Sequence, residues 1–411
     1  MSRSLCFLIL AGAFSLLAWS ARAERGDRVS RFLEERVARD PDDFLAWNRL
    51  ADHSLQLLRE DGNLEWLTSA THAAEESLRA VPAEQNPGGL VARARTELAG
   101  HRFAAARASA IALRKLMPGK TVPLEILGDA LLELGEYEEA ARIYDEMLQI
   151  DGPTLATEPR LARLDIIYGR NDRARERLAN ALSLAREFFA PMPETIAWCH
   201  VQIGELAFRS GDWKSAETHY RAASDALPES WFVLEHLAEL RAAEAENDAA
   251  IALYEKVIGR VSRPELKQAL GDLHATLGHE AESKRWHESA LHDYLQSVGR
   301  GEVQYFHHLS GFYADSLDQP VPAVHWARKD LTLRHSIQAH DALAWALYKK
   351  GDIPEAREEI AKALRTGAKD AHLLHHAGII EMSAGDLVAG KAALQQAATT
   401  NPHYNSFHVH R

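Results

Sequence analysis

Cysteine is almost missing from this chain. Of 411 residues only Cys6 and Cys199 are cysteine, and Cys6 sits inside an apolar leader, so the remaining chain holds one thiol. No intramolecular disulfide can form there, and stability must come from packing alone. Positive charge is also short: 47 Lys and Arg stand against 59 Asp and Glu, a net charge of −12. That disfavours a nucleic-acid role, because the phosphate backbone demands clustered positive charge. Past Trp19 no apolar run reaches the length of a membrane span without charges, so the chain that follows the leader is read as not membrane-spanning. No window alternates polar and apolar residues with period two between turn signals, so strands are not expected.

Catalytic signatures are missing as well. There is no Gly-x-Ser-x-Gly elbow and no Gly-x-Gly-x-x-Gly loop. Pro118-Gly119-Lys120-Thr121 ends like a phosphate-binding loop, but Arg114 occupies the place of its first glycine and the segment joins two helices. His279-Glu280 and His287-Glu288 lack the second histidine four residues on that a helical zinc site requires. Cys199 and His200 are sequence neighbours on a helix, hence about 100° apart, and Cys199 is read as a buried structural thiol. No enzyme activity and no cofactor are expected.

What is present begins with the leader, MSRSLCFLILAGAFSLLAWSARA. Arg3, an apolar run from Leu5 to Trp19, and Ala21-Arg22-Ala23 before Glu24 form a signal peptide over 1–23 with cleavage near Ala23, and imply export to a periplasm or the cell exterior. Without those residues 45 basic groups face 59 acidic ones, a net of −14. Apolar residues make up 46% of the chain and charged residues 26%, the balance of a folded protein rather than a disordered one.

The rest is periodic. In a 34-residue frame starting at Thr121, places 8, 15, 20 and 24 hold Gly128, Gly135, Ala140 and Tyr144. A frame from Ala197 puts Gly204, Gly211, Ala216 and Tyr220 at the same places, with Ala223 at 27 and Pro228 at 32. From Ala371 they hold Gly378, Gly385, Gly390 and Leu394, then Ala397 and Pro402. Weaker copies begin at 44, 87, 155, 231, 264, 304 and 337, making ten units. The physical reason is packing. Two antiparallel helices approach closely only with small residues at their crossing, places 8 and 20, while the large residue at 24 fills the next gap. Glycine at 15 lets the chain leave the first helix in a left-handed conformation, and proline at 32 stops the second.

These residues resemble the tetratricopeptide repeat family. The resemblance implies an all-α solenoid of about ten helical hairpins in a right-handed superhelix. Its ends need polar covers, and 24–43 suits a short capping helix through Val29, Phe32, Leu33 and Val37. Register breaks at 189–196 and 298–303 divide the array into 44–188, 197–297 and 304–404, with a tail over 405–411; these breaks are expected kinks or hinges, and the whole is expected to be elongated.

In that family the first helix of each unit lines a concave groove through places 2, 5, 9, 12 and 13, where extended partner segments lie. Carried over, these places give Glu125, Asp129, Glu133, Glu205, Glu235, Glu239, Glu265 and Asp272, an acidic groove suited to a basic protein or peptide partner. Further along they give Tyr305, His308, Phe312, Asp341, Trp345 and Tyr348. Histidine is crowded here, with 15 of 21 in 264–411, and His372, His375 and His376 share one helix face. Neighbouring helices pack about 8 to 10 Å apart, so His308, Asp341 and His375, with His372, are candidate ligands for zinc, copper or nickel only with extended side chains. The resulting expectation is an exported, non-catalytic scaffold that binds a partner in its groove. The alternatives are an accessory factor for envelope assembly, glycosyl transfer or metal handling that uses the histidine and aromatic patch, and a self-assembling structural role.

Overall fold

The computed structural model describes residues 28–261 and 263–409. The expected signal peptide, 1–23, lies outside them, as do 24–27 of the expected cap and the last two residues of the tail. Among the described residues every regular element is helical. Helix α1 covers 28–39. Four hairpins follow: α2 (Phe44–Asp61) with α3 (Glu65–Ala80), α4 (Pro87–Ala99) with α5 (Phe103–Leu116), α6 (Val122–Glu133) with α7 (Tyr137–Asp151), and α8 (Thr157–Ile167) with α9 (Asn171–Glu187). The next three are α10 (Pro193–Arg209) with α11 (Trp213–Ala226), α12 (Trp231–Ala243) with α13 (Asn247–Ile258), and α14 (Pro264–Thr276) with α15 (Glu280–Gly299). The last three are α16 (Phe306–Gly311) with α17 (Pro320–Leu331), α18 (Ile337–Lys350) with α19 (Ile353–Leu364), and α20 (Ala371–Ser383) with α21 (Leu387–Thr400). None is long and apolar enough to cross a membrane.

The hairpins close where the small residues stand. A Cβ added at Gly204 would lie 2.5 Å from the ring of Tyr220, and one at Gly378 would lie 2.6 Å from Leu394. Gly128 and Gly271 meet Tyr144 and His287 in the same way. Place 8 of each unit is therefore the floor on which the large residue at place 24 rests. Place 15 is left-handed in six units, from Gly169 at φ 66° to Gly385 at φ 91°. Three units have no glycine there, and the turn imposes the same conformation on His101, Ala245 and Asp318, at φ 55°, 60° and 50°. The repeat geometry overrides the residue.

Both register breaks are partly absorbed into helices. Glu194–Ile196 form an opening turn of α10 behind Pro193, leaving 188–192 as the loop, with Phe188 and Phe189 exposed. Val298 and Gly299 extend α15, and α16 passes into a single π-helical turn over Phe312–Ser316. Tyr294, Tyr305, Phe306, Phe312 and Trp326 form a buried aromatic cluster that joins these elements. In α1, Leu33 and Val37 pack on Ala46, Leu50 and Ala51 of the first hairpin. Val29 and Phe32, expected to cover it too, are instead 44% and 56% exposed.

The elongated shape expected from the repeats is not what forms, because the array wraps back on itself. Residues from Leu90 to Ile167 share one continuous core with residues from Ala314 to Ile380. Turns between the two helices of early hairpins dock on loops between later ones. The His335 amide donates to the Glu133 carbonyl at 3.2 Å, and the Ile337 amide donates to the Tyr137 hydroxyl at 2.8 Å. Arg334 donates to His101 Nδ1 at 2.8 Å and lies 3.5 Å from Glu133. Further along the same seam, Arg209 of α10 pairs with Asp370 at 3.4 Å. Gly135 sits so close to the His335 carbonyl that no side chain would fit.

Candidate partner-binding groove

Three carboxylates at place 9 each meet the place-24 side chain of their own hairpin. Asp129 accepts from the Tyr144 hydroxyl at 2.8 Å and takes a bidentate pair from Arg160 of the next hairpin, at 2.9 and 2.8 Å. Glu205 accepts from Tyr220 at 3.4 Å and pairs with Arg209 at 3.1 Å, and Asp272 pairs with His287 at 2.8 Å. In these three hairpins acid at place 9 thus answers the polar tip of the place-24 side chain, whereas Glu239, also at place 9, makes no such bond to Tyr254.

The other groove acids are also engaged. Glu125 lies 3.7 Å from Arg160. Glu133 meets Arg163 and Arg334; burial raises its carboxyl, but the two guanidiniums outweigh that and hold it below the usual range. Glu265 is held down in the same way by Arg263 against its burial. Glu235 and Glu239 are both buried. The expected acidic surface is a series of local ion pairs.

The C-terminal residues separate into three places. Trp345 stacks on Tyr348 at 5.0 Å and on His376 at 4.1 Å, and its Nε1 donates to Asp315 at 2.8 Å. Asp341 pairs with His376 at 3.0 Å. His308 stands apart, beside Tyr294 and Tyr305. Phe312 and Tyr305 are buried in the aromatic cluster, Phe312 with no exposure, so Phe312 presents nothing to a partner. His372 and His375 face the chain's own tail. Among the described residues no three His, Cys, Asp or Glu side chains are placed to hold a metal ion, so His308, Asp341, His372 and His375 do not converge.

Two features were not expected from the sequence. The first is the tail. After Pro402 the chain turns across three hairpins: His403 packs on Trp213, at the start of the second helix α11, at 4.3 Å, Tyr404 on His375 at 5.2 Å, and His408 between Phe208 and His372, both at concave places, at 5.2 and 4.9 Å. His408 Nδ1 and the Val409 amide both reach Glu239, the former at 2.8 Å. Phe407 and Val409 pack on the core that contains Leu234 and Leu266. The second feature is a cavity of about 1040 Å³ at the N-terminal end, lined by arginines including Arg49, Arg59, Arg95 and Arg160. Arg95 takes place 9 of its unit, and that was the available signal.

The sequence profile of the tetratricopeptide repeat matches 91–154, 201–264 and 342–405, each block spanning two successive hairpins of the array. The chain is a tetratricopeptide repeat protein. Solved structures similar to this repeat protein include TTC0263, a thermophilic TPR protein of Thermus thermophilus, at 20% identity over 47% of this chain and 98% of that one, with a TM-score of 0.41. A tetratricopeptide repeat protein from Parabacteroides merdae is 14% identical over 73% of this chain and 98% of its own, with a TM-score of 0.39. The human IFIT1 dimer with PPP-AAAA is 12% identical over 93% and 88%, with a TM-score of 0.47. No curated protein matches the sequence.

Proposed function

We propose that this tetratricopeptide repeat protein is a non-catalytic scaffold that holds a protein or peptide segment in its concave face, and that it works outside the cytoplasm after loss of 1–23. The observation that supports the reading is the tail: a non-helical segment lies across concave places of α10, α12 and α20, held by one buried carboxylate, Glu239, and by apolar contacts. A stretch of chain gripped there in cis is the form a partner segment would take in trans. The basic character first expected of the partner finds no support in the charges, because the groove acids already have cationic or hydroxyl partners.

A photo-crosslinking residue placed in the full chain locates the partner. Substitution at the concave positions Trp198 or Tyr348 should give adducts in the native host, whereas substitution at Arg221 or Lys391 on the second helices should not. Adducts only from the second helices would reject the concave face as the binding surface. N-terminal sequencing of the native protein should begin at Glu24; a sequence retaining 1–23 would reject cleavage.

A further inference from the structure

The arginine-lined cavity has no part in holding the tail. On one side stand Val29 and Phe32 of α1, large apolar side chains left 44% and 56% exposed. Facing them are Arg49 and Arg59 of α2 and Arg95 of α4. Arg95 pairs with the exposed Asp52 at 3.2 Å, and Arg160 is committed to Asp129. Arg49 and Arg59 have no ion-pair partner among the described residues. Partial burial and then the positive charge of Arg95 lower the pKa of the solvent-exposed Arg59, while the nearby carboxylates of Glu60 and Asp52 only partly offset them. In a chain of net charge −12, this is a local reversal of sign.

We propose that this cavity binds an acidic peptide segment, with carboxylates on Arg49 and Arg59 and an apolar side chain between them against Phe32 and Val29. The proposal rests on the reading of the concave face as a peptide groove, and it names the chemistry of one partner. Guanidinium forks match carboxylates bidentately, and an apolar wall opposite them suits a side chain. A nucleic-acid strand fits less well. Its evenly spaced phosphates would run past Asp52 and Glu125, which line the same cavity, whereas a peptide can place its acids only where arginines stand.

The test is fluorescence anisotropy of the full chain with a labelled peptide Gly-Asp-Leu-Phe-Glu-Gly, its Asn/Gln counterpart, and a hexathymidylate. The acidic peptide should bind saturably and more weakly as salt rises, and the amide peptide should bind at least about tenfold more weakly. Arg49→Gln with Arg59→Gln should abolish the preference for acid, and Arg49→Lys with Arg59→Lys should retain part of it. Melting curves confirm the fold of each variant; if the Gln pair unfolds, the contrast between acidic and amide peptides on the unaltered chain decides. Equal binding of the two peptides, indifference to the Gln pair in a folded chain, or tighter binding of hexathymidylate would overturn the proposal. A peptide of residues 402–409 tested on a chain whose own tail is released reports on the other end of the groove. If it binds while the acidic peptide does not, only the cavity assignment falls; if neither binds, the peptide-groove reading falls with it.

Discussion

Ala245 is held in a backbone conformation that alanine resists. At φ 60° it occupies the place where six other units use glycine, and the left-handed region costs an L-residue about 1–2 kcal/mol. Ala245→Gly should therefore stabilise the protein by about 0.5–1 kcal/mol after the loss of chain entropy is counted; an unchanged or lower melting temperature would contradict the strain. Gly128 is the opposite case. Gly128→Ala puts a methyl group into the ring of Tyr144, which is fully buried, and should cost about 1–3 kcal/mol by overpacking. Both effects are visible by thermal melting, and both follow from places legible in the sequence. The carboxylates at place 9 were legible too, but not their reason. Asp129 stands 15 residues before Tyr144 and 31 before Arg160, and only the folded hairpins bring the three together.

At the scale of elements, the ten hairpins could be read directly because their signals are local: small residues at a crossing, a left-handed turn, a proline stop. What could not be read is contact between elements far apart in the chain. Asp370 shows both levels at once. It caps α20 by accepting from the amides of His372 and Leu373 at 2.9 and 3.0 Å, and it pairs with Arg209 of α10 at 3.4 Å. Burial raises its carboxyl, but Arg209 and the amide bonds outweigh that and hold it below the usual range. Asp370→Ala removes the cap and leaves Arg209 short of one partner, and should cost about 2 kcal/mol. Asp370→Asn keeps the cap and should cost less. Equal losses for the two variants would mean that the ion pair, not the cap, holds this joint. The capping helix α1 was legible as a helix, but which of its apolar residues stay open to a cavity depends on α2 and α4 beside it.

For the whole molecule, the seam between early and late hairpins makes stability depend on pH. His101 accepts from Arg334 and is neutral; burial first, and then the Arg334 charge, push its pKa down to about 4. His200 is pushed down to about 4 by burial, His219 and Arg186. A histidine depressed in the folded state binds its proton more readily when unfolded. Its contribution is complete above the ordinary value near 6.5 and is lost as pH falls from there toward 4, by about 1.4 kcal/mol per pH unit for each group. The melting temperature should drop steadily between pH 6.5 and 4.5. His101→Asn, which tolerates the left-handed turn and still accepts from Arg334, should flatten that slope; a slope unchanged by this variant would contradict a titrating seam.

The concave face is proposed to grip a peptide, with the tail as its resident occupant. The direct measurement is calorimetric titration of a synthetic peptide, residues 402–409, into two full-length chains: the unaltered protein and one whose tail is released by Phe407→Ser and His408→Ser. The released chain should bind one peptide, and Glu239→Gln should weaken that binding. The unaltered chain should bind at least about tenfold more weakly, because its own tail competes at a high effective concentration. No binding by the released chain, or equal binding by both, would contradict the account.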